Sequence, residues 1–257
     1  MKTTIRLSCI AILVVSVILA GCSPKPGTET PPGTEPAGPT EVATGLQVDR
    51  AIRLDPATAE DDDSLVVNAF LYEGLVQLDA SGAPQPALAV SWTISDDELD
   101  YVINLRPDVT FHNGNAFNAD VVLANFNRWF DPANSLHNDL AYAGWEEFFL
   151  GFKGEFDETG AAVSPFDGIE KIDNLTILIH LNRPVPDLIT YLAQPYFAIL
   201  DPEVMAGGVD MLGSSVETVS GTGPYSLLAW TDAGLTLIPN VNYWDVVPTE
   251  DMRIGWK

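Results

Sequence analysis

Leu88 to Trp129 reads LAVSWTISDDELDYVINLRPDVTFHNGNAFNADVVLANFNRW, and two periodicities lie side by side in it. Leu99, Tyr101, Ile103 and Leu105 alternate with Asp100, Val102 and Asn104, the period of two of a strand with one buried face. Phe111-His112-Asn113-Gly114 breaks the alternation as a turn. Beyond it Val122, Phe126, Trp129 and Phe130 fall at i, i+4, i+7 and i+8, which predicts a helix with one apolar face. Asn118 stands where a side-chain oxygen can cap that helix, and Asp120 lies in its first turn, where the helix dipole favours a carboxylate.

Working outward, the chain from Gly45 onward reads as globular, with turn residues at regular intervals and no internal repeat. Leu46 to Val48 and Ile52 to Leu54 predict an early strand broken by Asp55-Pro56. Glu60-Asp61-Asp62-Asp63-Ser64 precedes an apolar run, Leu65 to Tyr72, that stops at Gly74: a capped helix start and a glycine stop. A calcium loop starting at Asp61 would need Gly sixth and Glu twelfth, but those positions are Val66 and Tyr72. Starting at Asp62 places Glu73 twelfth but Val67 sixth, so helix capping is the better account of the acidic cluster.

The ordered set Leu88-Ala89, Ser91-Trp92, Ser95-Asp96, Tyr101, Leu105-Arg106, Phe111-His112-Asn113-Gly114, Phe117 and Ala119-Asp120-Val121 resembles the signature region of the large bacterial extracellular solute-binding proteins for oligopeptides, dipeptides and nickel. Leu54-Asp55-Pro56 and Leu71-Tyr72-Glu73-Gly74-Leu75 agree upstream. Downstream, Asp173 to Leu181, Arg183-Pro184, Gly221-Thr222-Gly223-Pro224-Tyr225 and Asn242-Tyr243-Trp244 follow in the same order, so the likeness runs from Leu46 to Lys257.

The resemblance implies an α/β, periplasmic-binding-protein-like (type II) fold that closes on a solute and hands it to ABC permease subunits. It implies a lobe-one core at 45–75 plus 185–257 and an inserted α+β subdomain at 76–184. Relatives are roughly twice as long, and Met252 to Trp256 resembles the strand that crosses between lobes; the expectation is an N-terminal portion with the second lobe missing. The same resemblance places Asp63 and Ser64, together with the Gly221-Thr222-Gly223 turn, near the ligand, where small residues let backbone groups approach it. Tyr142 and Trp145 lie roughly where relatives offer an aromatic contact. Each has a structural rival: Asp63 and Ser64 can cap a helix, and Tyr142 with Trp145, three apart, can be core residues of one. The ligand stays open among peptide, nickel complex and oligosaccharide, and a monomer without cofactor or metal is expected.

At the other end of the chain Lys2 and Arg6 precede a short apolar run, Cys9 to Ala20, that reads as an export signal over residues 1–21. Twelve apolar positions span about 18 Å as a helix, short of the roughly 30 Å a membrane core requires. Leu19-Ala20-Gly21-Cys22 resembles the lipobox of bacterial lipoproteins, which makes Cys22 the expected lipidation site and anchors the protein outside the cytoplasm. Residues 22–44 carry six prolines and no aromatic residue, a composition that cannot bury enough apolar surface to order itself. They read as a tether holding the folded body off the membrane.

The chain carries 12 Lys and Arg against 36 Asp and Glu, a net charge of −24 that becomes −26 once Lys2 and Arg6 leave with the signal. Such a field repels phosphate backbones, so nucleic acid is excluded as a partner. His112, His137 and His180 are scattered, with no His-Glu-x-x-His and no Gly-x-Ser-x-Gly elbow. Ser220-Gly221-Thr222-Gly223 is not followed by the Lys of a phosphate loop. The chain therefore reads as no enzyme. The alternatives are a secreted carbohydrate-active hydrolase, since a carboxylate pair can be found among so many acidic residues, and a passive surface lipoprotein.

Overall fold

The computed structural model describes residues 43–137, 139–208 and 211–257. The expected signal, Cys22 and nearly all of the expected tether lie outside the described residues. Strand β1 spans Ala43–Val48, so regular structure begins inside the range read as tether. Helix α1 (Asp62–Leu71) follows, then β2 (Val76–Leu78), β3 (Pro84–Pro86), β4 (Ala89–Ile94) and β5 (Asp100–Leu105). Helices α2 (Ala119–Phe130) and α3 (Ala143–Phe149) precede β6 (Phe166–Asp173) and β7 (Thr176–Leu181). The short helices α4 (Leu188–Tyr191) and α5 (Pro202–Ala206) lead to β8 (Tyr225–Thr231), β9 (Gly234–Pro239) and β10 (Met252–Trp256).

Two four-stranded sheets result. In the first, ordered β1-β10-β9-β8, β1 runs parallel to β10 and the remaining pairs are antiparallel. The second, β4-β5-β7-β6, is antiparallel throughout. Its inner strand β5 buries Tyr101, Ile103 and Leu105 while the alternate positions stay partly exposed, as the period of two predicts. Helix α2 packs on β6 and starts where predicted: the Asn118 side chain accepts the Val121 N–H at 3.2 Å. Its face of Val122, Phe126, Trp129 and Phe130 is buried.

The larger hydrophobic cluster joins that face to Trp145, Phe149, Phe166 and Phe197, rings in mutual contact at centroid separations of 4.3 to 6.4 Å. It also takes in Ala57 and apolar residues from Val185 to Ile199, so packing does not break at the 76–184 boundary. A second cluster, including Val48, Leu54, Val67, Leu71, Leu227, Leu237 and Ile254, fills the space between α1 and the first sheet. Between these regions Arg128 and Asp55 form a bidentate ion pair at 2.6 and 3.1 Å, with both side chains fully buried.

Two local expectations are corrected. Ile52 to Leu54 is not strand; it is a buried connection whose Leu54 N–H binds the Gly213 carbonyl at 2.8 Å. Helix α1 starts within the acidic cluster, at Asp62 and capped by Asp61, but it ends in extended backbone at Tyr72 rather than at the expected stop, Gly74.

Candidate functional site

A groove of about 820 Å³ runs along α1, between that helix, β2 and residues 193–198. Leu65, Val66, Ala69, Val76, Leu78 and Pro195 make its walls apolar, with Asp62 beside the start of α1 and Glu73 with Tyr243 beyond its end. The volume is in the range of small-ligand sites, and mostly apolar walls with a few polar groups are their usual lining.

Glu73 organises the far end. Its carboxylate accepts from the Thr222 hydroxyl at 2.8 Å, the Tyr243 hydroxyl at 3.0 Å and the Trp244 indole N–H at 2.9 Å. The Arg106 guanidinium lies 3.7 Å from the Trp244 ring centroid and is held by the Ala87 carbonyl at 2.9 Å. Burial raises the Glu73 carboxyl above its ordinary range, against the hydrogen bonds from Trp244, Thr222 and Tyr243 and the charge of Arg106. Burial, then the Glu73 charge, pushes the Tyr243 phenol up in turn. The carboxylate thereby ties together the end of α1, the 221–223 turn and the segment leading into β10.

That turn is also held from the other side. The His112 backbone N–H binds the Gly221 carbonyl at 2.9 Å, and its ring contacts the Gly223 carbonyl through Nε2 at 3.1 Å. The Gly221 N–H donates to Nδ1 at 3.3 Å. From below, the Gly223 N–H binds the Leu71 carbonyl at 3.0 Å. A Cβ on Gly221 would sit 2.0 Å from that carbonyl oxygen, and one on Gly223 would sit 2.6 Å from the Leu71 carbonyl carbon.

The residues expected near a ligand are dispersed. Asp63 stands at the start of α1, accepting from Lys257 Nζ at 2.7 Å and from the Asp49 N–H at 2.6 Å. These two contacts, Lys257 first, hold its carboxyl below the usual range. Ser64 is fully buried; its backbone N–H is the one Asp61 caps at 2.8 Å, and its hydroxyl donates to the same carboxylate at 2.6 Å and accepts from the Arg53 N–H at 2.8 Å. Gly221 to Gly223 lie at the opposite end of the helix, about 15 Å away for ten residues. There glycine is required by the approach of the Leu71 backbone rather than by a ligand's. Tyr142 and Trp145 are 1% and 2% exposed. Tyr142 stacks on His137, and Trp145 packs on Phe149 while its indole N–H binds the Gly151 carbonyl at 2.9 Å. Neither ring has a face left for a solute, so core packing replaces ligand contact for both. Among the described residues, no group of three or more His, Cys, Asp or Glu could hold a metal ion.

Sequence reasoning missed Glu73 and Arg106 as a site. Both stand within motifs that carry the family resemblance, as do Tyr243 and Trp244, and those motifs were the signal available; no spacing links positions 170 apart.

The fold is that of a lobe of a type II periplasmic binding protein. The sequence pattern of the bacterial extracellular solute-binding proteins, family 5 (middle), matches residues 83–252, and the chain belongs to that family. It is 32% identical over 204 residues to the glutathione-binding protein GsiB of Escherichia coli strain 536, an alignment covering 79% of this chain and 35% of that one. Among solved structures it resembles the periplasmic binding protein DppA of Helicobacter pylori in complex with the peptide STSA, at TM-score 0.69 and 27% identity over 82% of this chain and 41% of that one. HbpA2 of Haemophilus parasuis superposes at TM-score 0.71 and 26% identity, over 82% of this chain and 42% of that one. The chain thus spans about a third of the length of the curated relatives it matches.

Proposed function

We propose that this chain belongs to the substrate-capturing component of an ABC importer and that it takes a short peptide or a related small solute outside the cytoplasmic membrane. Family membership over residues 83–252 carries this reading. The names of the relatives, a glutathione-binding protein and a peptide-bound periplasmic protein, support the ligand class. The groove along α1 is this lobe's share of the binding surface, with Asp62 suited to a ligand's ammonium group. Residues 76–184 are an inserted subdomain, and the protein is a monomer. It is anchored through a lipid on Cys22 and handed to the membrane by the tether. No observation favours the hydrolase or the passive-lipoprotein alternative.

A groove open on one side leaves much of a ligand in water. Losing about 4 kcal/mol of contact weakens a micromolar site to millimolar, so the chain alone is expected to bind weakly. Titration of the labelled chain with di- to pentapeptides is expected to move the amide signals of Val66, Ala69 and Gln194 at millimolar concentration. Ala69→Trp, which fills the groove, is expected to abolish the shifts. Shifts confined to other surfaces, or none with any peptide, would overturn the assignment.

A further inference from the structure

The contact between the 111–115 turn and the 221–223 turn is built around one imidazole with both nitrogens engaged. Nε2 faces a carbonyl, Gly223 O at 3.1 Å, and so carries the proton; Nδ1 faces an N–H, that of Gly221 at 3.3 Å, and so must be a lone pair. One tautomer of neutral histidine satisfies both partners. We propose that His112 is an acid-sensitive latch: the neutral ring holds the two turns together, and protonation of Nδ1 sets a donor against the Gly221 N–H and opens the contact.

The surroundings offer the cation no compensation. Glu73 lies beyond Thr222, already accepting from Thr222, Tyr243 and Trp244, with Arg106 behind Trp244. Asp201 receives Asn113 at 2.5 Å, Asn115 at 2.8 Å and the Glu203 N–H at 2.9 Å, while Glu203 receives Asn115. These three carboxylates are therefore committed to other donors. Burial accordingly lowers the ring's pKa from 6.5 to about 4, opposed by the Gly223 carbonyl. A depressed folded pKa means that the latch stabilises fully above pH 6.5 and is lost as pH falls through about 4. Gly221 and Gly223 are packed on the Leu71 backbone, Asn113 and Asn115 hold the other turn to Asp201, and the His112 backbone N–H binds the Gly221 carbonyl, so it is the two ring contacts that open.

The test needs no ligand, which keeps it independent of the transport reading. Nitrogen NMR of the full chain is expected to show the His112 ring protonated on Nε2 at neutral pH, with a midpoint near 4. The unfolding midpoint of the parent chain is expected to exceed that of His112→Asn at neutral pH, and the gap to vanish below pH 4. A proton on Nδ1 at neutral pH, or a midpoint at or above the ordinary 6.5, overturns the latch. So does a gap between the two chains that persists below pH 4. If the variant does not fold, the ring's tautomer and midpoint in the parent chain still decide.

Discussion

Asp55 and Arg128 stand 73 positions apart, yet they form a bidentate ion pair with both side chains fully buried. Removing one partner leaves a buried, unpaired charge. Asp55→Ala or Arg128→Ala alone is therefore expected to lower the unfolding free energy by about 3–5 kcal/mol in urea titrations. Replacing both with apolar residues is expected to cost less than the two single changes added together. Glu73 behaves differently, because burial makes its folded form bind a proton more readily than its unfolded form. The stability this contributes is full below pH 4.5 and is lost as pH rises through the higher folded value. Glu73→Gln, neutral at every pH, is expected to flatten that part of the stability curve; an unchanged slope between pH 4.5 and neutrality would show that Glu73 does not titrate there.

Elements in this fold are placed by backbone approach as much as by side chains. The end of α1 meets the 221–223 turn so closely that Gly221→Ala drives a Cβ into the Leu71 carbonyl oxygen. Backbone on both sides cannot yield cheaply, and the change is expected to cost about 1–3 kcal/mol, more if the turn is displaced. Gly168 in β6 is the control: a Cβ there meets nothing within 4 Å, and Gly168→Ala is expected to lie within about 0.5 kcal/mol of the parent. Thermal melts of the two variants separate close approach from a general effect of glycine. At the start of α2, Asn118→Ala removes the bond to the Val121 N–H and is expected to cost about 1 kcal/mol, with helix signal lost before sheet signal on heating.

For the whole molecule, the open ends of the sheets matter. Among the described residues β8 closes one side of the first sheet and no strand pairs beyond it, while Leu228 on it is 55% exposed. An unpaired apolar edge is a template for another chain. Concentration-dependent aggregation is expected, and Leu228→Lys should slow it in light-scattering measurements without moving the melting temperature by more than a degree or two. The anchor belongs to this scale as well: Cys22→Ala is expected to shift the protein from the detergent-extracted membrane fraction to the soluble one. Equal partition of both forms would remove the lipid from the proposal.

The sequence by itself determined the local pieces. The alternation from Leu99 to Leu105 was enough for β5, and Asn118 with the spacing of Val122, Phe126, Trp129 and Phe130 was enough for α2. Periodicity reports which face of a strand or helix is buried, and that is a property of neighbours along the chain. The order of short motifs was enough for the family. Contacts between distant positions carry no such local trace, so only the tertiary structure decided that Ile52 to Leu54 is a buried connection and that the Ser64 hydroxyl meets the Arg53 N–H. It also decided that the Tyr142 and Trp145 rings belong to the core and that Glu73 gathers Thr222, Tyr243 and Trp244. Asp63 and the 221–223 turn were legible as special positions, but which partner makes them special is fixed by what the fold brings within 3 Å. For Asp63 that partner is Lys257, and for the turn it is the Leu71 backbone below and His112 beside it.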